Sequence, residues 1–236
     1  MDESMLSLNE SEKNKKRKPL IGYYKQWVVL TYLSAVSAIT GMFIALSGNI
    51  VLAMFCLMVC GFCDMLDGPV ARRKKRNDRE KNYGIQIDAL ADLICFGIFP
   101  VVIGYAVVAD SINHEQLTVR LVICIAIAAF YALAALIRLA YFNVIEAEMQ
   151  SKREKRKYYE GMPVTMAAVL IPLVYSVCFI TNVSLAAVYP VMLLIIAVLF
   201  LLKIRVPKIK GKYLLIFILI GLPIAIFLFW SIGAVI

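Results

Sequence analysis

The chain is poor in charged residues and in histidine. Of its 236 residues, 17% are charged and 62% are hydrophobic, whereas about a quarter of the residues in a soluble globular domain are charged. The one histidine, His114, has no histidine partner, so we interpret it as a loop residue rather than a metal ligand. A disordered chain is also excluded, because disorder requires low hydrophobicity. The composition therefore predicts a membrane protein.

The six cysteines do not form a disulfide framework. All of them lie within or at the end of apolar runs, where a thiol packs well and is remote from oxidants. Cys60 and Cys63 match the spacing of a redox or metal motif, but no second pair or nearby histidine accompanies them. We therefore predict free thiols at Cys56, Cys60, Cys63, Cys95, Cys124 and Cys178.

The apolar runs predict an all-α, polytopic transmembrane helical bundle. About 20 apolar residues are needed to cross the hydrocarbon core as a helix. Seven segments qualify, with an uncertainty of one because Gly221 and Pro223 interrupt the last. The predicted segments are residues 27–46, 50–66, 85–108, 118–142, 163–182, 186–202 and 213–236.

The distribution of basic residues predicts the topology. The N-terminal stretch is polar and basic, with no apolar core of a signal peptide behind it. With the N-terminus in the cytoplasm, every lysine and arginine except Arg120 lies on the inner side, as the positive-inside rule requires. The net charge of +9 is thus assigned to cytoplasmic loops and lipid headgroups, and not to nucleic acid.

Four aspartates interrupt the second and third apolar segments. Asp64 and Asp67 are three residues apart, and Asp88 and Asp92 are four apart, so each pair lies on one face of its helix. One acid at the centre of a spanning helix costs about 2.5–3.5 kcal/mol, so a compensating group is expected. An all-carboxylate set suits Mg²⁺, Mn²⁺ or Ca²⁺.

Small residues accompany these acids. Gly68 and Ala71 follow Asp67, and Gly84 lies one turn before Asp88. Small side chains let a ligand such as a nucleotide or pyrophosphate approach the backbone. Arg72 adds a bidentate donor for phosphate. Taken singly, each of these residues is also explained by helix packing or by the positive-inside rule.

The combined pattern resembles the signature of the CDP-alcohol phosphotransferases, membrane enzymes of phospholipid synthesis. The matching residues are Asp64, Asp67, Gly68, Ala71, Arg72, Gly84, Asp88 and Asp92. One departure is the spacer between Arg72 and Gly84, which is longer than is usual in the family. The extra residues fall in the basic loop, so we expect them to lengthen a connection only.

Within that family, three further segments are similar to the CDP-diacylglycerol–serine O-phosphatidyltransferases. They are residues 86–100, 137–143 and 160–163. Ala89 and Leu93 stand where phosphatidylglycerophosphate synthases usually carry proline and lysine. The resemblance covers about residues 25–205, which we take as the catalytic membrane domain. Residues 1–24 form a polar basic tail, and 206–236 a C-terminal membrane segment.

The resemblance implies a reaction and a set of partners. Asp64, Asp67, Asp88 and Asp92 would hold two divalent ions, Mg²⁺ or Mn²⁺, with Asp92 also acting as the base. Gly68, Ala71, Arg72 and Gly84 would bind the nucleotide and pyrophosphate of CDP-diacylglycerol. L-serine would accept the phosphatidyl group, releasing CMP. A homodimer in the cell membrane, its active site facing the cytoplasm, is implied as well.

Alternatives remain at this point. Arg138 is either an anchor at the inner membrane face or, with Asn143 at the predicted helix end, a contact for the acceptor. The acceptor could instead be glycerol 3-phosphate or inositol phosphate. From other classes, a cation transporter would bury acids too but needs polar residues continuing outward, and a structural membrane protein gives no reason for four acids in register.

Overall fold

A computed structural model describes residues 21–72, 77–110, 117–152, 158–203, 205–207 and 212–235. His114, most of the N-terminal tail and the basic runs at 73–76 and 153–157 lie outside these ranges. The helices of the described part are α1 Gln26–Leu46, α2 Ile50–Arg72, α3 Asp78–Asp92, α4 Phe99–Asp110, α5 Leu117–Lys152, α6 Ala167–Thr181, α7 Leu185–Leu201 and α8 Lys212–Val235.

Four short elements complete the described fold. A π-helical turn, Leu93–Ile98, joins α3 to α4, and a 3₁₀ turn, Val164–Met166, precedes α6. Strands β1 (Tyr158–Glu160) and β2 (Arg205–Pro207) pair antiparallel. This pairing joins the segment that follows α5 to the segment that follows α7.

The helices confirm the predicted all-α membrane bundle. Five helical stretches in the described residues are long and apolar enough to cross a membrane, and α7 and part of α8 are shorter apolar helices. Each of the seven predicted segments coincides with one of these helices. Many large apolar side chains on their outer faces are exposed, which is the arrangement expected where lipid surrounds the protein.

Two predicted boundaries are wrong. The third segment begins at Asp78, not at residue 85, and the fourth ends at Lys152, not at residue 142. Glu80 stabilises the earlier start, because its carboxylate accepts a hydrogen bond from the Asn77 N–H at 3.3 Å. Asp88 and Asp92 are thus about 15 and 21 Å from the start of their helix, at 1.5 Å per residue.

The core lies where α2 and the continuous α3–π–α4 rod meet the other helices. Met54, Leu57, Phe96, Phe99 and Ile103 are fully buried there. Because these buried side chains interdigitate closely with their neighbours, neither helix can rotate about its axis without losing packing contacts. The two elements that carry the acids are therefore anchored in the core of the bundle.

The end of the bundle that carries the basic segments is also tied together. Lys25, just before α1, forms an ion pair with the buried Glu80 of α3. The Tyr32 hydroxyl of α1 hydrogen-bonds that of Tyr83 at 2.8 Å and donates to the Tyr23 carbonyl at 3.1 Å. These contacts fix the start of α3 against α1.

Candidate functional site

Three of the predicted aspartates converge. Carboxylate oxygens of Asp64, Asp88 and Asp92 all lie within 4.8 Å of one another. Asp64 projects from α2, while Asp88 and Asp92 project from one face of α3, as their four-residue spacing predicts. The cluster is half-buried between the two helices.

Asp67 joins the cluster through Asp88. Carboxyl groups interact across α2 and α3 in two pairs, Asp64 with Asp92 and Asp67 with Asp88. Carboxylates this close together repel each other unless a proton or a cation lies between them. The oxygen-only donor set fits a hard divalent ion such as Mg²⁺ or Mn²⁺.

The predicted phosphate-binding residues lie on the same two helices. Gly68, Ala71 and Arg72 are in the last turns of α2, where the structure describes the backbone and not the side chains. Gly84 is inside α3, one turn before Asp88, and is half-buried. The longer spacer therefore leaves Gly84 on the helix that carries Asp88 and Asp92.

A hydroxyl and two thiols that the sequence did not single out for a role pack together where α1 and α2 meet the π turn that follows Asp92. The Ser34 hydroxyl of α1 is 3.0 Å from the Cys95 thiol of the π turn, and the Cys60 thiol of α2 donates to the Ser34 carbonyl at 3.4 Å. All three side chains are buried. In the sequence, the one indication of these contacts was that Ser34 is a polar residue within an apolar helix. The structure has all six cysteines as free thiols.

Arg138 is buried on α5, where it contacts α7 and a neighbouring ring of its own helix. Its Nη1 donates to the Phe200 carbonyl at 3.1 Å, and its guanidinium lies 4.5 Å from the centre of the Phe142 ring. Asn143 is half-buried on the same helix. The prediction that Asn143 marks the helix end is wrong, because α5 continues to Lys152.

The family comparison agrees with this geometry. The profile of the family described as CDP-alcohol phosphatidyltransferase matches residues 28–230, which include all four aspartates. The chain belongs to this family. The family that the aspartate and glycine spacing predicted is thereby confirmed.

Three relatives whose sequences are similar to this chain are named as serine phosphatidyltransferases or as an archaetidylserine synthase. The chain is 39% identical over 118 residues to a CDP-diacylglycerol–serine O-phosphatidyltransferase of Saccharomyces cerevisiae, covering 48% of this chain and 38% of that protein. It is 27% identical over 183 residues to an archaetidylserine synthase of Methanothermobacter thermautotrophicus, covering 78% and 70%. A Helicobacter pylori CDP-diacylglycerol–serine O-phosphatidyltransferase is 33% identical over 132 residues, covering 56% and 48%. The matched region thus spans less than half of two of these relatives.

Proposed function

We propose that the protein transfers the phosphatidyl group of CDP-diacylglycerol to the hydroxyl of L-serine, giving phosphatidylserine and CMP. The convergence of Asp64, Asp88 and Asp92 between α2 and α3, in a chain of this family, is the observation that carries the reaction class. The names of the relatives support serine as the acceptor. Membership of the family disfavours the cation-transporter alternative.

The proposed step is a displacement at phosphorus. The serine hydroxyl oxygen forms a bond to the lipid-bearing phosphorus, and the bond from that phosphorus to the bridging oxygen of the pyrophosphate breaks. Asp92 takes the hydroxyl proton, since serine is a poor nucleophile at neutral pH without a base in hydrogen-bond reach. CMP leaves with the bridging oxygen, so no other co-substrate is needed.

The four aspartates would hold two ions of Mg²⁺ or Mn²⁺. Such ions neutralise charge on a pyrophosphate and on its leaving group. Asp64, Asp67 and Asp88 are assigned to holding the ions, and Asp92 is assigned to both the ions and the proton. Gly68, Ala71, Arg72 and Gly84 are assigned to the nucleotide and pyrophosphate, because small residues permit close approach and arginine binds phosphate through two bonds.

Arg138 and Asn143 are the proposed acceptor contacts. A guanidinium carries five N–H donors in a planar fork. The fork matches the two oxygens of the serine carboxylate. Glycerol 3-phosphate or inositol phosphate would bring a dianion, for which several converging basic residues are expected.

The location and assembly are proposed on separate grounds. The chain is an integral membrane protein by its apolar helices, and the charge distribution favours the cell membrane with the N-terminus and active site on the cytoplasmic side. A homodimer is implied by the family resemblance. Chemical cross-linking in native membranes tests the dimer, and a cross-linked product of only monomer size would contradict it.

The acceptor is tested with purified protein, CDP-diacylglycerol and Mn²⁺, supplying L-serine, glycerol 3-phosphate and inositol phosphate in separate reactions. We expect CMP release with serine alone. CMP release that depends on another acceptor and ignores serine would overturn the serine assignment and leave the reaction class intact. An ether-linked CDP-lipid in a parallel reaction shows which lipid core is accepted.

A further inference from the structure

The π turn begins immediately after Asp92 and ends just before Phe99. Residues Leu93–Ile98 form the turn, with the Phe99 N–H donating to the Ile94 carbonyl five residues earlier. An α-helix pairs residues four apart, so a π turn contains an extra residue. At 3.6 residues per turn, that residue rotates everything before it by roughly 100° relative to everything after it.

This rotation decides where the acids point. Asp88 and Asp92 precede the turn and face Asp64, while Phe99 and Ile103 follow it and are fully buried in the core. If the turn closed into α-helical geometry, the core residues would hold α4 in place, and the turn carrying Asp92 would rotate instead. The direction of the Asp92 carboxylate therefore depends on the π turn.

The Phe96 carbonyl of this turn lacks its usual backbone donor because residue 100 is a proline. In an α-helix the N–H of residue 100 would pair with the Phe96 carbonyl, but proline has no N–H. Tyr131 of α5 supplies a donor in its place: its hydroxyl donates to the Phe96 carbonyl at 2.7 Å, and its side chain is fully buried. A buried carbonyl without a partner is costly, so this bond stabilises the turn in its observed geometry.

We propose that Tyr131 is a positioning residue, whose hydroxyl holds the π turn after Asp92 and so keeps the Asp92 carboxylate directed at Asp64. The proposal rests on the function proposed above, in which Asp92 acts on the acceptor hydroxyl. Tyr131 itself is assigned no contact with acid or substrate. Its effect passes through the Phe96 carbonyl.

The structure offers a matched control in Tyr189 of α7. Tyr189 is also fully buried, and its hydroxyl donates to the Pro100 carbonyl at 2.8 Å. That carbonyl lies after the π turn, in α4. Tyr131→Phe and Tyr189→Phe thus each delete one buried tyrosine-to-carbonyl bond, and only the first deletes a bond to the turn.

The first readout is steady-state kinetics with CDP-diacylglycerol and serine. We expect Tyr131→Phe to lower kcat by about tenfold or more, because small misplacements of a reacting group are costly, with KM for CDP-diacylglycerol and Mn²⁺ affinity within about twofold of wild type. Tyr189→Phe should keep kcat near the wild-type value. Equal kcat losses in the two variants, or a change confined to KM, would overturn the proposal.

The second readout does not require activity. Hydrogen–deuterium exchange of the segment from Asp92 to Phe99 should become roughly fivefold faster in Tyr131→Phe, the factor that corresponds to losing one buried hydrogen bond. Tyr189→Phe should leave that segment unchanged. If wild-type protein released no CMP, the proposed function would fail. The exchange measurement alone would then support or refute the proposal that the Tyr131 hydroxyl stabilises the turn.

Pro100→Ala provides a second route should Tyr131→Phe fail to fold. Alanine restores the N–H, so the Phe96 carbonyl can be paired in α-helical geometry and the turn can close. We expect exchange in the segment to slow, thermal stability to be kept, and kcat to fall by about tenfold, again because Asp92 is misplaced. Slower exchange with wild-type kcat would overturn the proposal, whereas no change in either quantity would show that the Tyr131 bond alone holds the turn.

Discussion

At the residue scale, the four aspartates occupy two different kinds of position. Asp64 and Asp92 face each other from α2 and α3, and Asp67 faces Asp88. Asp92 is the last residue of α3 and adjoins the π turn, whereas Asp67 lies within α2. These positions are consistent with the separate roles proposed for metal binding and proton transfer.

Substituting Asp67 and Asp92 should separate those roles. Asp67→Asn is expected to lose both Mn²⁺ binding and turnover, because the amide brings no negative charge to the ion. Asp92→Asn should keep CDP-diacylglycerol binding and most Mn²⁺ affinity but lower kcat by about 10²–10⁴-fold, the usual contribution of a general base. Mn²⁺ titration followed by electron paramagnetic resonance and CMP release are the measurements.

Asp78→Asn is the matched control for this pair. Asp78 is an acid of the same helix, α3, but is almost fully exposed and pairs with Lys81 at 2.8 Å, so its loss should leave both quantities unchanged. Chelation should abolish wild-type activity, and added Mg²⁺ or Mn²⁺ should restore it. Near-normal turnover in Asp92→Asn would show that the base has been wrongly assigned.

Arg138→Lys tests the proposed acceptor contact. Lysine keeps the charge but lacks the planar fork, so KM for serine should rise more than affinity for CDP-diacylglycerol changes. The bond to the Phe200 carbonyl also gives Arg138 a structural role, which thermal stability monitors. A fall in stability with KM for serine unchanged would refute the contact with serine and leave only the structural role.

At the scale of elements, Gly161 is the point where the segment after β1 meets α5 and α7. Its φ is +75°, and an added Cβ would lie 2.6 Å from Arg138 Nη1 and 2.7 Å from the Leu202 carbonyl oxygen. Any side chain would therefore disturb the contacts of Arg138 as well as strain the backbone. This explains glycine within the segment at residues 160–163 that resembles the serine enzymes.

Gly161→Ala should destabilise the bundle more than Gly48→Ala. Gly48 also has a positive φ, +89°, but a Cβ added there would meet no atom within 4 Å. Both variants bear a backbone strain of about 1–2 kcal/mol, and overpacking adds about 1–3 kcal/mol at Gly161 alone. Thermal unfolding in detergent measures the difference, and equal losses would contradict the role of packing at Gly161.

Elements were predictable from the sequence where lipid determines their composition. The apolar runs located the seven apolar helical stretches of the described residues, because membrane-embedded turns must be apolar. The first turns of α3, from Asp78, and the last turns of α5, to Lys152, were missed because they are polar. A search for apolar runs does not detect polar helical turns. The π turn was missed as well, since it depends on the tertiary bond between Tyr131 and Phe96, although Pro100 within an apolar run was a signal that the helix is irregular.

At the scale of the whole molecule, the described contacts bring together segments that the charge rule assigns to one side. Lys25 pairs with Glu80, and β1 pairs with β2, so the start of α1 adjoins the start of α3, and the segment after α5 adjoins the one after α7. The four aspartates were predictable as a cluster because helical spacing fixes which face each acid occupies. Which acids touch across the helices depends on packing, and only the structure gives it.

Cysteine labelling tests which side these segments occupy. In a background without the six native cysteines, Asn77→Cys should be protected from an impermeant thiol reagent in intact cells, and Asn182→Cys should react. Both positions are exposed, and the charge distribution places them on opposite sides. Reaction at position 77 with protection at position 182 would invert the topology and move the active site to the outer face.

The central claim is the transfer itself, and it is tested most directly by measuring both products of one reaction. Purified protein receives CDP-diacylglycerol, Mn²⁺ and L-serine, and CMP and phosphatidylserine are quantified over time, with a parallel reaction lacking serine. The displacement proposed for the aspartate cluster predicts equal molar amounts of the two products and neither of them without serine. CMP that forms at the same rate without serine, or phosphatidylserine that forms without CMP, would contradict it.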